Sequence, residues 1–262
     1  MQPEPNPITT QEITLEAISF LLEHEPREGY FVGFSGGKDS IVTLEIVRMS
    51  GVKHQAYYSM TGIDPPEVVR FIRENYPEVI FLKPKRTFWR DLSVKCAPTN
   101  CIRWCCTSLK KEPAWGLPHT RRIYGIRAEE SAKRAKRERI NTYNEVKRGF
   151  TEYYPILKWK EFHVWDFIES LSLPYPALYD EGFDRLGCIV CPYHSTSSGK
   201  MHEIYRKRWP KYFELWEKAI EQLYHKRVSQ GKTMAYPTSK EFLEAWYLNN
   251  AARWYEEKKE DL

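Results

Sequence analysis

No run of apolar residues in this sequence approaches the length that a helix needs to cross a bilayer. The first residues, Met1-Gln2-Pro3-Glu4-Pro5, lack both the basic start and the apolar core of a secretory leader, so the expected location is the cytoplasm, without membrane contact. Cysteine is absent outside two short stretches: Cys96, Cys101, Cys105 and Cys106, then Cys188 and Cys191. That clustering argues against a disulfide framework and points to metal or redox chemistry. There is no internal repeat and no low-complexity tract. Nor does one sign of charge dominate: 40 Lys and Arg stand against 35 Asp and Glu, and a net charge of +5 favours anionic ligands only weakly.

The 262 residues suit one α/β domain with an appended region and are enough for a sizeable core. A helix is expected from Thr10 to before Pro26, with Ile18, Leu21 and Leu22 at helical spacing. Tyr30-Phe31-Val32-Gly33-Phe34 reads as a buried strand that runs into Ser35-Gly36-Gly37, and Ile41, Val42, Leu44, Ile46 and Val47 give the next helix its apolar face. Strands over His54–Met60, Val79–Leu82 and Arg122–Ile126 alternate with helices at Pro65–Tyr76 and His163–Ser170. This alternation predicts a parallel sheet with helices on both faces. Beyond Pro192 the sequence turns helical and aromatic, through Trp209, Phe213, Trp216, Phe242 and Trp246 at helical spacing, which predicts a packed helical appendage. The expected divisions are an N-terminal helix at 1–27, an α/β domain at 28–195 and a helical region at 196–262, with the boundary near Pro192 to Gly199.

Ser35-Gly36-Gly37-Lys38-Asp39-Ser40 lies between a strand and a helix. Unpaired N–H groups at a helix start attract anions, and glycines let a phosphate approach without a Cβ in the way. Lys38 adds a point charge, Ser35 and Ser40 offer hydroxyls, and Asp39 either caps the helix or helps to hold a magnesium ion near a pyrophosphate. The spacing differs from that of the Walker loop. The loop resembles the signature of the PP-loop superfamily, the ATP pyrophosphatases and sulfonucleotide reductases with a Rossmann-like fold.

Cys105-Cys106, a long gap and Cys188-Ile189-Val190-Cys191 form a second constellation. Four thiolates suit a tetrahedral zinc or a cubane iron-sulfur cluster, and adjacent cysteines favour the cluster. The pattern resembles the cluster motif of the phosphoadenylyl- and adenylyl-sulfate reductases. Trp104 to Lys110, Tyr124 to Ser131, Trp165 to Ile168 and Leu178 to Phe183 follow the same family's motif order, over roughly residues 28 to 195. The resemblance implies an adenine nucleotide (phosphoadenylyl sulfate, adenylyl sulfate or ATP) on Ser35, Gly36, Gly37, Lys38, Asp39 and Ser40. It implies a [4Fe-4S] cluster on Cys105, Cys106, Cys188 and Cys191, with Lys110 beside it and Arg127 facing the phosphate or sulfate end of the ligand. A strand-end salt bridge is the competing role for Arg127 and Glu129.

The family's assimilatory reductases use a nucleophilic cysteine near the C-terminus, and here no cysteine follows Cys191, so attack by a tail thiolate is not expected. Cys96 and Cys101 are the remaining candidates, with Lys95 and Arg103 nearby to lower a thiol pKa. Three functions stay open: reduction of a sulfonucleotide to sulfite with a thiol donor such as thioredoxin, ATP-dependent sulfur transfer with pyrophosphate release, and a non-catalytic nucleotide- or nucleic-acid-binding module. For the last, the basic stretch Lys133–Arg148 is the contact expected, although a solvated helix face explains it as well. A homo-oligomer is a further expectation.

Overall fold

The computed structural model describes residues 9–142, 148–194 and 200–248. The first residues Met1 to Pro5, part of the basic stretch (143–147), part of the expected boundary (195–199) and the charged C-terminal residues lie outside the described residues. By internal contacts the chain divides into two units that do not follow chain order: Met1–Ser59, Pro66–Leu82 and Trp115–Leu186 form the first, and Met60–Pro65, Lys83–Ala114 and Gly187–Leu262 the second.

The first unit is an α/β fold with a six-stranded sheet. Its strands are β1 (Tyr30–Gly33), β2 (His54–Ser59), β3 (Ile80–Leu82), β4 (Arg121–Tyr124), β5 (Ile140–Asn141) and β6 (Thr151–Tyr153), in the order β3-β2-β1-β4-β6-β5. All neighbours run parallel except β5, which pairs antiparallel with β6 at the edge. Strand β1 reads as a nearly unbroken apolar run because Tyr30, Phe31 and Val32 are all buried, as parallel strands covered on both faces require.

Helix α1 (Thr10–Glu23) begins with a capping box: the Glu12 amide donates to Thr9 Oγ1 at 3.2 Å and the Thr9 amide donates to Glu12 Oε2 at 2.8 Å. Helix α2 (Lys38–Ser50) buries the predicted apolar face through Ile41, Val42, Leu44, Ile46 and Val47 and ends at Gly51, whose φ of 69° is a left-handed cap. Helices α3 (Pro66–Asn75) and α6 (Glu161–Ser170) complete the long helices of this unit, and α5 is the short turn Ala132–Ala135. The chain goes from β1 outward to β3 and then returns to the other side of β1 at β4. This reversal makes the crevice at the C-terminal ends of β1 and β4 the expected ligand position.

The second unit is helical. It holds α4 (Phe88–Leu92), α7 (Lys200–Arg208), α8 (Pro210–Ser229) and α9 (Ser239–Tyr247), with a π-helical turn over Cys106–Lys111. Its core is aromatic, as the helical spacing predicts. Trp216 and Trp246 lie with ring centroids 4.8 Å apart, and Phe88 stacks on Trp104 at 5.7 Å. Truncating one such buried ring costs about 3–5 kcal/mol. Among the described residues no helix is long and apolar enough to cross a membrane.

Candidate active site

The phosphate loop takes its shape from two glycines. Gly36 has φ +73°, where an L side chain is strained, and a Cβ there would come within 2.9 Å of Ile72. Gly37 is the N-cap of α2, without a side-chain cap, so Asp39 does not cap the helix. The serines brace the turn internally: the Ser35 amide donates to Ser40 Oγ at 3.2 Å, and Ser40 Oγ donates to the Gly37 carbonyl at 2.8 Å. From β4, Gly125 closes on the same turn. A Cβ on it would stand 2.6 Å from the Asp39 carbonyl oxygen, so only glycine fits.

The two cations of this site are both engaged. Lys38 is buried at 3% exposure, donates to the Asp184 carbonyl at 2.6 Å and pairs with Glu161 at 2.9 Å, with the Tyr179 ring centroid 5.1 Å away. The Lys38 amide donates to the Tyr179 hydroxyl at 2.9 Å. Arg127 is buried, bonds to Asp39 and reaches Glu129 at 3.4 Å. The predicted strand-end pairing of Arg127 with Glu129 is therefore present, together with a second partner on the loop. Burial pushes the Asp39 carboxyl above the usual carboxylate range despite the opposing pull of Arg127. The hydrogen bond from Lys38 holds Glu161 below that range. Sequence reasoning missed Glu161 and assigned no role to Tyr179. Nothing local marks either residue, since their partner Lys38 lies far away in the chain.

All six cysteines lie in the second unit. Cys105 hydrogen-bonds to Cys106 and lies within electrostatic reach of Cys188 and Cys191. Among the described residues no group of three or more His, Cys, Asp or Glu is placed so that it could hold a metal ion. The Cys105 hydrogen bond, aided by Arg103 and Lys110, pulls the Cys106 thiol down, while the same bond and burial push Cys105 up. Arg103 Nη2 donates to Cys106 Sγ at 3.5 Å and its guanidinium stacks over Tyr193 at 4.0 Å. Burial pushes Cys188 up to about 12. Cys188 Sγ lies 3.6 Å from Asp64 Oδ1 and 3.8 Å from Thr61 Oγ1, and its single S–H can serve one of them at a time. Lys110 is exposed, and its ammonium is held protonated by Cys188 first, then by Asp64, Cys191 and Cys106, against desolvation. Thr61 and Asp64 were not foreseen as neighbours of Cys188.

Cys96 and Cys101 differ. Cys101 is exposed, whereas Cys96 is half-buried and burial pushes its thiol up, overturning the expectation that Lys95 and Arg103 lower it. Lys95 is held by Asp91 and Ser108 at 2.8 and 2.9 Å, and Arg103 acts on Cys106 instead. The backbone around Cys96 is pinned: Arg227 donates to the Val94 and Lys95 carbonyls at 2.6 and 2.9 Å, Trp104 to the Cys96 carbonyl at 2.8 Å and Trp246 to the Pro98 carbonyl at 2.8 Å.

In the basic stretch of the first unit, Arg134 pairs with Glu130, Arg137 donates to the Tyr154 hydroxyl at 2.7 Å, and Arg139 donates to Glu16 at 2.5 Å and to the Pro155 carbonyl at 2.9 Å. Much of its charge is thus neutralised or tied to structure.

The sequence profile of the phosphoadenosine phosphosulfate reductase domain matches residues 29–194. An uncharacterized protein of Methanocaldococcus jannaschii is 31% identical over 201 residues, 73% of this chain and 41% of that protein. A second protein of that organism is 32% identical over 167 residues, and the chain covers 40% of it, so the chain spans about two fifths of the length of these relatives. The adenosine 5'-phosphosulfate reductase of Staphylococcus haemolyticus is 25% identical over 173 residues, 60% of this chain and 68% of that enzyme. Among solved structures, the Candida auris phosphoadenylyl-sulfate reductase in a phosphate complex superposes with a TM-score of 0.52 at 19% identity, covering 72% of this chain and 90% of that one. Candida glabrata FMN adenylyltransferase superposes with a TM-score of 0.53 at 16% identity, covering 71% of this chain and 67% of that one. Both show the Rossmann-like fold. With the profile spanning the loop, Arg127 and all six cysteines, the chain belongs to the phosphoadenylyl- and adenylyl-sulfate reductase family of the PP-loop superfamily.

Proposed function

We propose that the protein is an iron-sulfur sulfonucleotide reductase acting on adenylyl sulfate or its 3'-phosphorylated form. The observation that supports this reading is that Cys105 lies within electrostatic reach of Cys106, Cys188 and Cys191, three thiols that also act on the Lys110 ammonium. A single tetrahedral ion would need its sulfurs about 3.8 Å apart, from a metal–sulfur bond of about 2.3 Å. A four-iron cube takes one thiolate at each corner and so accepts a wider set, and four thiols with two cations near them suit a cluster of net negative charge. When bound, the cluster supplies local negative charge and polarisable sulfur.

The first unit holds the nucleotide. Amides at the start of α2 and the glycine-shaped turn accept its phosphates, and Arg127 offers a guanidinium fork to the anionic end. Two electrons reduce the sulfonyl group to sulfite. The thiolate of Cys101 attacks sulfur, the sulfur–oxygen bond to the 5'-phosphate breaks, and AMP or, from the 3'-phosphorylated form, adenosine 3',5'-bisphosphate leaves. A second thiol, from Cys96 or an external dithiol donor, then attacks Cys101 sulfur, releasing sulfite and leaving a disulfide. Exposure favours Cys101 over Cys96 as the first nucleophile.

The test is anaerobic turnover of the iron-loaded protein with a dithiol and each of adenylyl sulfate, phosphoadenylyl sulfate and ATP. Sulfite release that is lost in Cys101→Ser is expected. Pyrophosphate release from ATP without sulfite from either sulfonucleotide would replace this reading with ATP-dependent sulfur transfer.

A further inference from the structure

Helix α7 begins after the residues that the family profile matches, and it grips the Cys188-Ile189-Val190-Cys191 turn of its own unit. His202 is buried at 2% exposure, with Nε2 3.0 Å from the Cys191 carbonyl oxygen and Nδ1 3.2 Å from the Tyr247 carbonyl oxygen. Its ring stacks on Trp246 with centroids 4.6 Å apart. A neutral imidazole donates through one nitrogen only, and the contact to Cys191 is the shorter of the two. Nε2 of His194 stands 2.6 Å from the Cys188 carbonyl oxygen, and the His194 ring lies on Tyr205 with centroids 4.0 Å apart. His202 and Tyr205 are three residues apart in α7 and share one face. One helix face thus reaches the carbonyls of both cysteines, directly at Cys191 and through His194 at Cys188.

The bland alternative is a satisfied core histidine and a stacked ring pair. It leaves unexplained why the two carbonyls held are those of the two cysteines, while the Ile189 amide is held separately by the Ile63 carbonyl at 2.7 Å. Holding a residue's carbonyl restricts the backbone rotation that sets its Cα–Cβ direction, and so limits where the sulfur can point. We propose that α7 is a clasp for the cluster, with His202 and the Tyr205–His194 pair as positioning residues for the Cys191 and Cys188 sulfurs. The proposal rests on the cluster reading above and deepens it.

The full chain, loaded anaerobically with iron and sulfide, is mixed with a ferrous chelator, and iron loss is timed by the decay of visible absorption. His202→Phe keeps the stack on Trp246 without a donor, and Tyr205→Ala removes the platform for His194. Each is expected to lose iron about 10- to 100-fold faster than wild type. His202→Gln restores a single N–H donor and recovers most of the wild-type rate, and Tyr205→Phe, which keeps the ring, is unchanged. Phe242→Leu loosens the same unit's core and removes none of the hydrogen bonds described above. If it sheds iron as fast as His202→Phe, the effect is general loosening and the clasp is overturned. Wild-type rates in both His202→Phe and Tyr205→Ala overturn it too, provided that Cys188→Ser fails to take up iron. A Cys188→Ser protein that loads iron normally brings down the cluster reading, and the clasp with it.

Discussion

Six consecutive residues, Ser35 to Ser40, make the phosphate loop, and its hydroxyls and amides brace one another within the turn. The thiol site draws on Thr61 and Asp64, on Cys105 to Lys110 and on Cys188 to Cys191, three segments far apart in sequence. The loop therefore depends on backbone conformation at two or three glycines, and the thiol site on tertiary packing. Their electrostatics differ as well. Around the loop the cations Lys38 and Arg127 are already matched by Glu161, Asp39 and Glu129. Around the thiols, Arg103 and Lys110 face sulfur, and Asp64 is the carboxylate that acts on Lys110.

Substitutions that separate the two regions sharpen this contrast, and the largest effect is expected at the sulfurs. Cys106→Ser should reduce bound iron to background in the reconstituted protein while calorimetric nucleotide affinity stays within about twofold, since a missing corner ligand forfeits the cluster. Equal loss of nucleotide binding would break the division. The mirror experiment is Gly125→Ala, whose Cβ would press on the Asp39 carbonyl. Overpacking of this kind costs about 1–3 kcal/mol in urea unfolding. Nucleotide affinity should drop more than about tenfold while iron content is kept, since about 1.4 kcal/mol is already a factor of ten.

Arg127→Lys comes next. It keeps the charge but loses the fork, so sulfonucleotide affinity should fall by about tenfold, roughly one lost charge-assisted hydrogen bond. Unchanged affinity would show that Arg127 serves only Asp39 and Glu129.

The smallest effect concerns Glu161. Its folded pKa is depressed by the Lys38 hydrogen bond, so its contribution is present above the ordinary carboxylate range and is lost as pH falls through the folded value. Because its side chain is 49% exposed, Glu161→Gln should cost below about 1 kcal/mol at pH 7. Urea titrations should converge with wild type in acid, and a constant difference across pH would refute the assignment.

Much of this fold was legible beforehand, since apolar runs such as Tyr30–Gly33 and the helical stripe after Asp39 are short-range patterns set by burial on a sheet and a helix. The antiparallel pairing of β5 was not, because two residues carry no periodicity. The loop was read in full, including its glycines. The partners of Lys38 were invisible, because a buried ammonium attracts whichever carboxylate the fold delivers. Lys95 and Arg103 sit close to Cys96 in sequence and suggested a lowered thiol, but burial and the engagement of both cations elsewhere reversed that expectation.

The sequence by itself determined the alternation of strands and helices, the glycine turn and the identity of the thiols, because each is encoded within a few neighbouring residues. Tertiary structure alone decided which groups neutralise Lys38 and Arg127, which acid stands by Cys188 and which histidine meets its carbonyl. Coulombic and hydrogen-bonding partners are chosen by distance in space, and separation along the chain does not report that distance.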